Sequence, residues 1–265
     1  MEDVIAVAEA PIIGECIFCD KNIFKNSNEH IVPESLGNRN YVLPNGAICR
    51  KCNNRFSDFE EKALTKTFLG FERARMGIPT KKGNPAIAKS NGIEWTGNKD
   101  FKRNIVNVKG FTQDQIKNFN EKTGSFELTV PDFDKSEMAT SKLLLKMGYE
   151  ALFTSQKKIF QLYDFEEIKQ HLTNKNNADW PFLSTTNLML STFKSIPKFQ
   201  FKHDLNRIRC QLLISEINQN TLIFKFKYSV ALYMINLIDR NIEWTKEYLE
   251  KDKLINIYPE YFKKK

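Results

Sequence analysis

Two Cys-x-x-Cys pairs, Cys16-Ile-Phe-Cys19 and Cys49-Arg-Lys-Cys52, bracket a turn-rich segment near the start of the chain. A two-residue gap lets both thiolates of a pair face one ion from a tight turn. Two such pairs complete a closed tetrahedral shell of soft sulfur ligands, the set that structural zinc prefers. A segment this short buries little core, and metal binding supplies the missing folding free energy. A closed shell leaves no open coordination position, so the ion is expected to be structural. A redox motif or an iron–sulfur cluster fits this spacing less well. The fifth cysteine, Cys210, stands alone in a run of branched and aromatic residues and is expected to be a small core residue.

Between the pairs lies Glu29-His30-Ile31-Val32-Pro33. The branched residues suggest a strand with the polar pair at its start. Asn53 and Asn54 follow the last cysteine directly, where a helix is expected to begin. Hydrolysis of a phosphodiester needs a base to activate water, a metal to neutralise developing charge, and a frame that holds both. His30 can serve as the base. Glu29 and Asn53 offer hard oxygen atoms suited to Mg²⁺ or Mn²⁺. A metal staple between the hairpin and the helix would bring these sequence-distant groups together. Asn53 could equally be a helix N-cap, and Asn45, before Gly46, could be a simple turn residue.

Glu29-His30-Ile31-Val32-Pro33, followed by Asn45-Gly-Ala-Ile-Cys49-Arg-Lys-Cys52-Asn53, resembles the HNH nuclease family with its ββα-metal fold. It is most similar to the four-cysteine branch that includes the phage Holliday-junction resolvase endonuclease VII. The resemblance covers roughly residues 14–75. It implies that Glu29 ligates a catalytic divalent metal and that His30 is the general base for the attacking water. It further implies that Asn45 holds the His30 ring through its backbone or side chain, that Asn53 is the second metal ligand, and that the products are a 5′-phosphate and a 3′-hydroxyl. Glu29 stands where Asp is more frequent in the family. Asn54 adjoins Asn53, and the spacing from Cys52 favours Asn53.

From Asn53 onward Phe56, Phe59, Ala63, Thr67, Phe68 and Phe71 recur at three- and four-residue steps, which predicts one amphipathic helix ended by Gly77 and Pro79. Residues 80–92, rich in Gly, Pro, Lys and Asn, read as a boundary. The expected fold is α+β: a zinc-stapled ββα-metal module over residues 1–79, then a larger α+β domain over residues 80–265 that recognises substrate or a partner. In that second part, residues 93–108 suggest two short strands, 112–121 a helix, 125–130 a strand, and 138–154 and 165–172 helices. Residues 207–217 and 221–232 suggest a hairpin turning at Asn218-Gln219-Asn220, and the tail one short helix. His171 and His203 lack metal-ligand spacing and read as surface or packing residues.

The net charge of +8 favours a polyanionic partner. Arg50, Lys51 and Arg55 surround the candidate site, Arg73, Arg75, Lys81 and Lys82 follow on the helix end and linker, and all could track a phosphate backbone, double-stranded DNA being the expected substrate. The chain shows neither a basic secretory start nor an apolar run long enough for a bilayer, so no membrane is expected, and a cytoplasmic, thiol-reducing setting is. Three functions are compatible with these features. The first is a metal-dependent endonuclease, of the kind found in restriction or antiviral defence and able to act as a homodimer. The second is a zinc-stapled nucleic-acid-binding adaptor without cleavage. The third is a nuclease effector gated by a partner protein or signal acting on residues 80–265.

Overall fold

In the computed structural model, the described residues are 14–23, 28–38, 41–128, 137–175, 177–186, 194–201, 210–251 and 255–264. They form helices and antiparallel sheets arranged around one long buried helix.

The first pair of cysteines sits on a turn in which Asp20 N–H donates to Cys16 O at 2.8 Å. A short hairpin follows. His30 bridges Val42, Ile31 N–H donates to Tyr41 O at 3.0 Å, and Leu43 N–H donates to Glu29 O at 2.8 Å. The buried Asn38 side chain closes its loop, with Nδ2 donating to Val32 O at 2.7 Å and Oδ1 accepting from Tyr41 N–H at 2.9 Å. Helix α1, Arg50–Thr65, then buries Cys52, Phe56, Phe59, Ala63 and Leu64 along one stripe. The single helix expected after Asn53 is two. Thr67 Oγ1 accepts from Leu69 N–H at 3.2 Å and so caps a second helix, α2, Phe68–Arg75. A threonine that fits the apolar period is also a good N-cap, and the cap prevails here. Gly77, at φ 68°, ends α2 as expected.

Strands β1 (Ile87–Ser90), β2 (Ile93–Gly97) and β3 (Val106–Lys109) form a three-stranded antiparallel sheet against α2, burying Ala88, Ile93 and Trp95 beside Phe71. The segment expected as a boundary therefore contains a strand. Its Asn91-Gly92 pair, with φ 48° and 80°, is a hairpin turn between β1 and β2. The helix expected over residues 112–121 is also replaced. Thr112 starts one capped 3₁₀ turn, Gln113–Gln115, which runs straight into β4 (Ile116–Asn120), paired with β5 (Ser125–Leu128). The capping signal is real but local, and pairing with β5 takes the following residues.

Helix α3, Glu137–Ser155, is buried on every side from Ala139 to Leu152. Its apolar residues are not confined to one stripe, the pattern of a helix inside the molecule, and its buried Lys142, Lys146 and Glu150 lie four apart along it. Helix α1 lies along one flank, with α4 (Lys157–Phe160) and α5 (Glu166–Leu172) on another. A six-stranded antiparallel sheet, in the order β11-β6-β10-β9-β8-β7, lies against it. Its strands are β6 (Phe182–Thr185), β7 (Lys194–Phe201), β8 (Cys210–Asn218), β9 (Thr221–Tyr228), β10 (Ala231–Asn236) and β11 (Asn256–Tyr258). Along β9, Leu222, Phe224, Phe226 and Tyr228 join the core under α3. Ile223 joins Leu183, Met234, Trp244, Ile257 and Phe262 in a smaller cluster near helix α6, Lys246–Lys251. This is the period-two alternation of a sheet covered on both faces.

The expected second hairpin strand, 221–232, is divided into β9 and β10 by a tight turn in which Ser229 takes φ 54°. No Gly or Asn marks that turn. The expected tail helix is α6, but β11 follows it and pairs Ile257 with Leu183. Cys210 is fully buried in β8, and His171 is buried against Trp180 with ring centroids 5.5 Å apart. His203 lies outside the described residues.

One buried cluster runs from Cys16 and Phe18 through Phe56 to Leu144, Phe224 and Tyr258. Packing is therefore continuous across residue 79. Phe18 sits between Phe56 and Tyr149, Tyr149 OH donates to Ile17 O at 2.7 Å, and Tyr228 OH donates to Leu36 O at 3.1 Å. No described helix is long and apolar enough to cross a membrane.

Candidate metal and hydrolytic centre

The four N-terminal cysteines converge. Their sulfur atoms all lie within 4.8 Å of one another, and Sγ of Cys19 and Sγ of Cys49 are 3.8 Å apart. A tetrahedral shell with metal–sulfur distances of about 2.3 Å has edges of about 3.8 Å, so the cluster has the size a zinc ion requires. Ile17 N–H donates to Ala47 O at 3.0 Å, which holds the two cysteine turns in register. Hydrogen bonding with Cys52 pulls the Cys16 thiol down to about 4, while the same contact, with burial, pushes Cys52 far up. Four sulfur atoms this close together suit a divalent cation, which would bind them as thiolates and displace their protons.

Cys49 has a second task. Its sulfur accepts from Cys52 N–H at 3.4 Å and caps α1. The N-cap position is therefore filled, and Asn53 lies inside the first turn, its N–H bonded to Cys49 O at 3.1 Å. The capping alternative for Asn53 is thereby removed.

Glu29 is buried and His30 half-exposed at the start of the hairpin. Lys146 of α3 reaches this point. Its Nζ is 2.5 Å from Glu29 Oε1, 3.0 Å from Glu60 Oε1 and 3.1 Å from Glu150 Oε2, and it donates to His30 O at 3.3 Å. Burial works against the Lys146 charge, yet Glu150, Glu29 and Glu60 together outweigh it and hold its pKa well above the usual lysine range. Burial raises Glu150 and Glu60, with Lys146 opposing the rise.

Asn45 is exposed on the Pro44–Ala47 turn that leads into Cys49. No hydrogen bond joins it to His30 among the described residues, so the ring-orienting contact expected for Asn45 is not present. Asn45 sits in a turn that Ala47 N–H closes on Pro44 O at 3.1 Å, with Gly46 at φ 81°.

The expected phosphate-facing residues divide into two groups. Arg50 and Lys51, on the first turn of α1, and Lys82 are exposed, and Arg55 is half-buried. Lys81 is exposed beside Glu34 at 3.3 Å. Arg73 and Arg75 depart from expectation. Arg73 is buried, and Arg75 donates to Glu72 at 2.6 and 2.8 Å, to Ser229 Oγ at 3.1 Å and to Asn104. Arg73 is thus withdrawn from solvent, and Arg75 is engaged by Glu72, Asn104 and Ser229.

The sequence reading missed Asn38, Glu60, Lys146 and Glu150. For the last two a signal exists: a Lys and a Glu four apart in the middle of a helix whose neighbouring positions are mostly apolar. Such a pair must be buried and must find partners.

Residues 16–69 match the model of a family described as HNH endonuclease. No curated protein and no solved structure matches the chain.

Proposed function

We propose that this HNH segment makes the protein a metal-dependent endonuclease acting on nucleic acid, with double-stranded DNA as its substrate. The observation that carries the reading is the family match over residues 16–69. The same residues hold the Glu29–His30 hairpin and α1 together around the four-cysteine cluster. The cluster would hold a structural zinc ion.

His30 would act as general base, taking a proton from the attacking water through an imidazole whose main chain is fixed on both sides of the strand. Glu29 and Asn53 would hold the catalytic Mg²⁺ or Mn²⁺. Two protein oxygen donors suit an ion that keeps several waters and takes substrate phosphate as a ligand. When bound, that ion supplies charge neutralisation at the scissile phosphate. Arg50, Lys51, Lys81 and Lys82, with the half-buried Arg55, would contact the phosphate backbone. Residues 80–265 would support the centre and select the substrate.

The direct test is nicking of supercoiled plasmid in Mg²⁺ or Mn²⁺ by the wild type and by His30→Ala, with zinc measured in both. Loss of a general base costs about 10²–10⁴-fold in rate. Equal nicking by both proteins would remove His30 from the mechanism. Retention of DNA on both zinc-loaded proteins without any cleavage would instead leave a binding adaptor or a nuclease gated through residues 80–265.

A further inference from the structure

Lys146 is contributed by the second half of the chain, and its side chain has no solvent exposure. One ammonium gathers three parts of the proposed centre: the Glu29 carboxylate, the His30 main-chain carbonyl, and α1 through Glu60. Glu60 lies seven residues, two turns, beyond Asn53 and so on the same face of α1. The two elements that carry the proposed metal ligands are thus joined through one atom of α3.

Stability alone does not explain this arrangement. A buried ion pair is often no more stable than well-packed apolar residues of the same volume. Here three carboxylates face one ammonium, and Glu150 Oε1 is buried without a hydrogen bond. A helix that only had to fill the core would do better with Leu and Met at positions 146 and 150. Side-chain exposure rises from none at Lys146 and Glu150 to 8% at Glu29 and 20% at Glu60. The costly buried pair therefore lies beneath the two carboxylates nearest solvent.

We propose that Lys146 is a positioning residue of the hydrolytic centre: by fixing one oxygen of Glu29 together with the His30 carbonyl, it presents the other oxygen of Glu29 to the catalytic divalent ion. The role rests on the nuclease reading above. It makes the HNH segment dependent on α3 for its ion affinity, because groups that hydrogen-bond to a metal's ligands fix those ligands in place.

The test compares full-length, zinc-loaded wild type, Lys146→Met and Lys146→Met/Glu150→Gln. The double variant leaves two carboxyl groups without the ammonium where the single variant leaves three, and it removes the most deeply buried of them, so it is the less prone of the two to unfold. Mn²⁺ binding is read from the signal of free Mn²⁺ in electron paramagnetic resonance, and nicking is read as a function of Mn²⁺. Both variants are expected to keep their zinc. Their Mn²⁺ midpoint should rise about tenfold or more, within the about 10–100-fold seen when outer partners of ligands are removed, with nicking recovering at high Mn²⁺. A merely structural role would lower the rate at every Mn²⁺ concentration without moving the midpoint, and that result would overturn the proposal. Glu29→Gln separates the two levels of inference. A wild type that neither binds Mn²⁺ through Glu29 nor nicks DNA would remove the nuclease reading and this role with it. A wild type that does both, beside variants with an unmoved midpoint, would remove the role of Lys146 alone.

Discussion

Cys49 shows how much one side chain can be asked to do. Its sulfur belongs to the four-thiol cluster and also caps α1. Serine at this position is a good N-cap but a poor soft ligand. Cys49→Ser should therefore keep the helix cap and lose the zinc, and with it much of the stability that metal binding provides. Structural zinc contributes about 10–16 kcal/mol to the folding of zinc-finger peptides, which sets the scale of the loss. Zinc analysis and thermal melting would measure it, and a Cys49→Ser protein with full zinc would disprove a Cys₄ shell. The four clustered cysteines could be read from spacing alone. Glu29 and His30 could be named as chemistry, but not the burial of Glu29 against Lys146, since that partner lies more than a hundred positions along the chain. Residues with opposite fates looked alike in sequence. Arg50 and Arg73 are both basic residues near the candidate site, yet one is exposed and the other buried.

At the scale of elements, α3 depends on one close approach. A Cβ on Gly148 would stand 2.8 Å from Leu237 Cδ2 and 2.9 Å from Phe224 Cγ. Gly148→Ala gains about 1 kcal/mol of helical preference but overpacks the helix–sheet contact at a cost of about 1–3 kcal/mol. The second effect should win, lowering the melting temperature in calorimetry. A more stable Gly148→Ala protein would show that the sheet yields and that α3 is not fixed against it. Periodicity identified α3 and α5, and branched residues identified β8 and β9, because long or strongly patterned segments carry their own signal. It failed where a short local preference met tertiary pairing, as at β4, and where a turn lacked glycine or asparagine, as at Ser229.

For the whole molecule, the continuous core predicts that residues 1–79 do not fold alone even with zinc. Phe18 would lose Tyr149, and Leu36 O would lose the Tyr228 hydroxyl. A fragment of residues 1–79 should bind zinc yet show no cooperative thermal transition. A sharp melting curve from that fragment would contradict a shared core. The net charge of +8 makes a second prediction at this scale. DNA affinity should fall steeply with salt, and Lys51→Ala should reduce the slope by about 1 while weakening all sequences alike. An unchanged slope would place Lys51 off the phosphate path.

The sequence by itself determined the four-cysteine cluster and named the Glu-His pair between its halves. Cysteine spacing and a Glu-His pair before branched residues are local facts, legible without a fold. It also determined which long segments are helix or strand, since their apolar period is internal to each segment. Only the tertiary structure decided that α3 runs beneath the hairpin, that Lys146 joins Glu29 to α1, and that Arg73 is buried while Arg75 is tied to Glu72, Asn104 and Ser229. Those outcomes depend on which buried surfaces meet, and a buried charge finds its partner by proximity in space rather than by position in the chain.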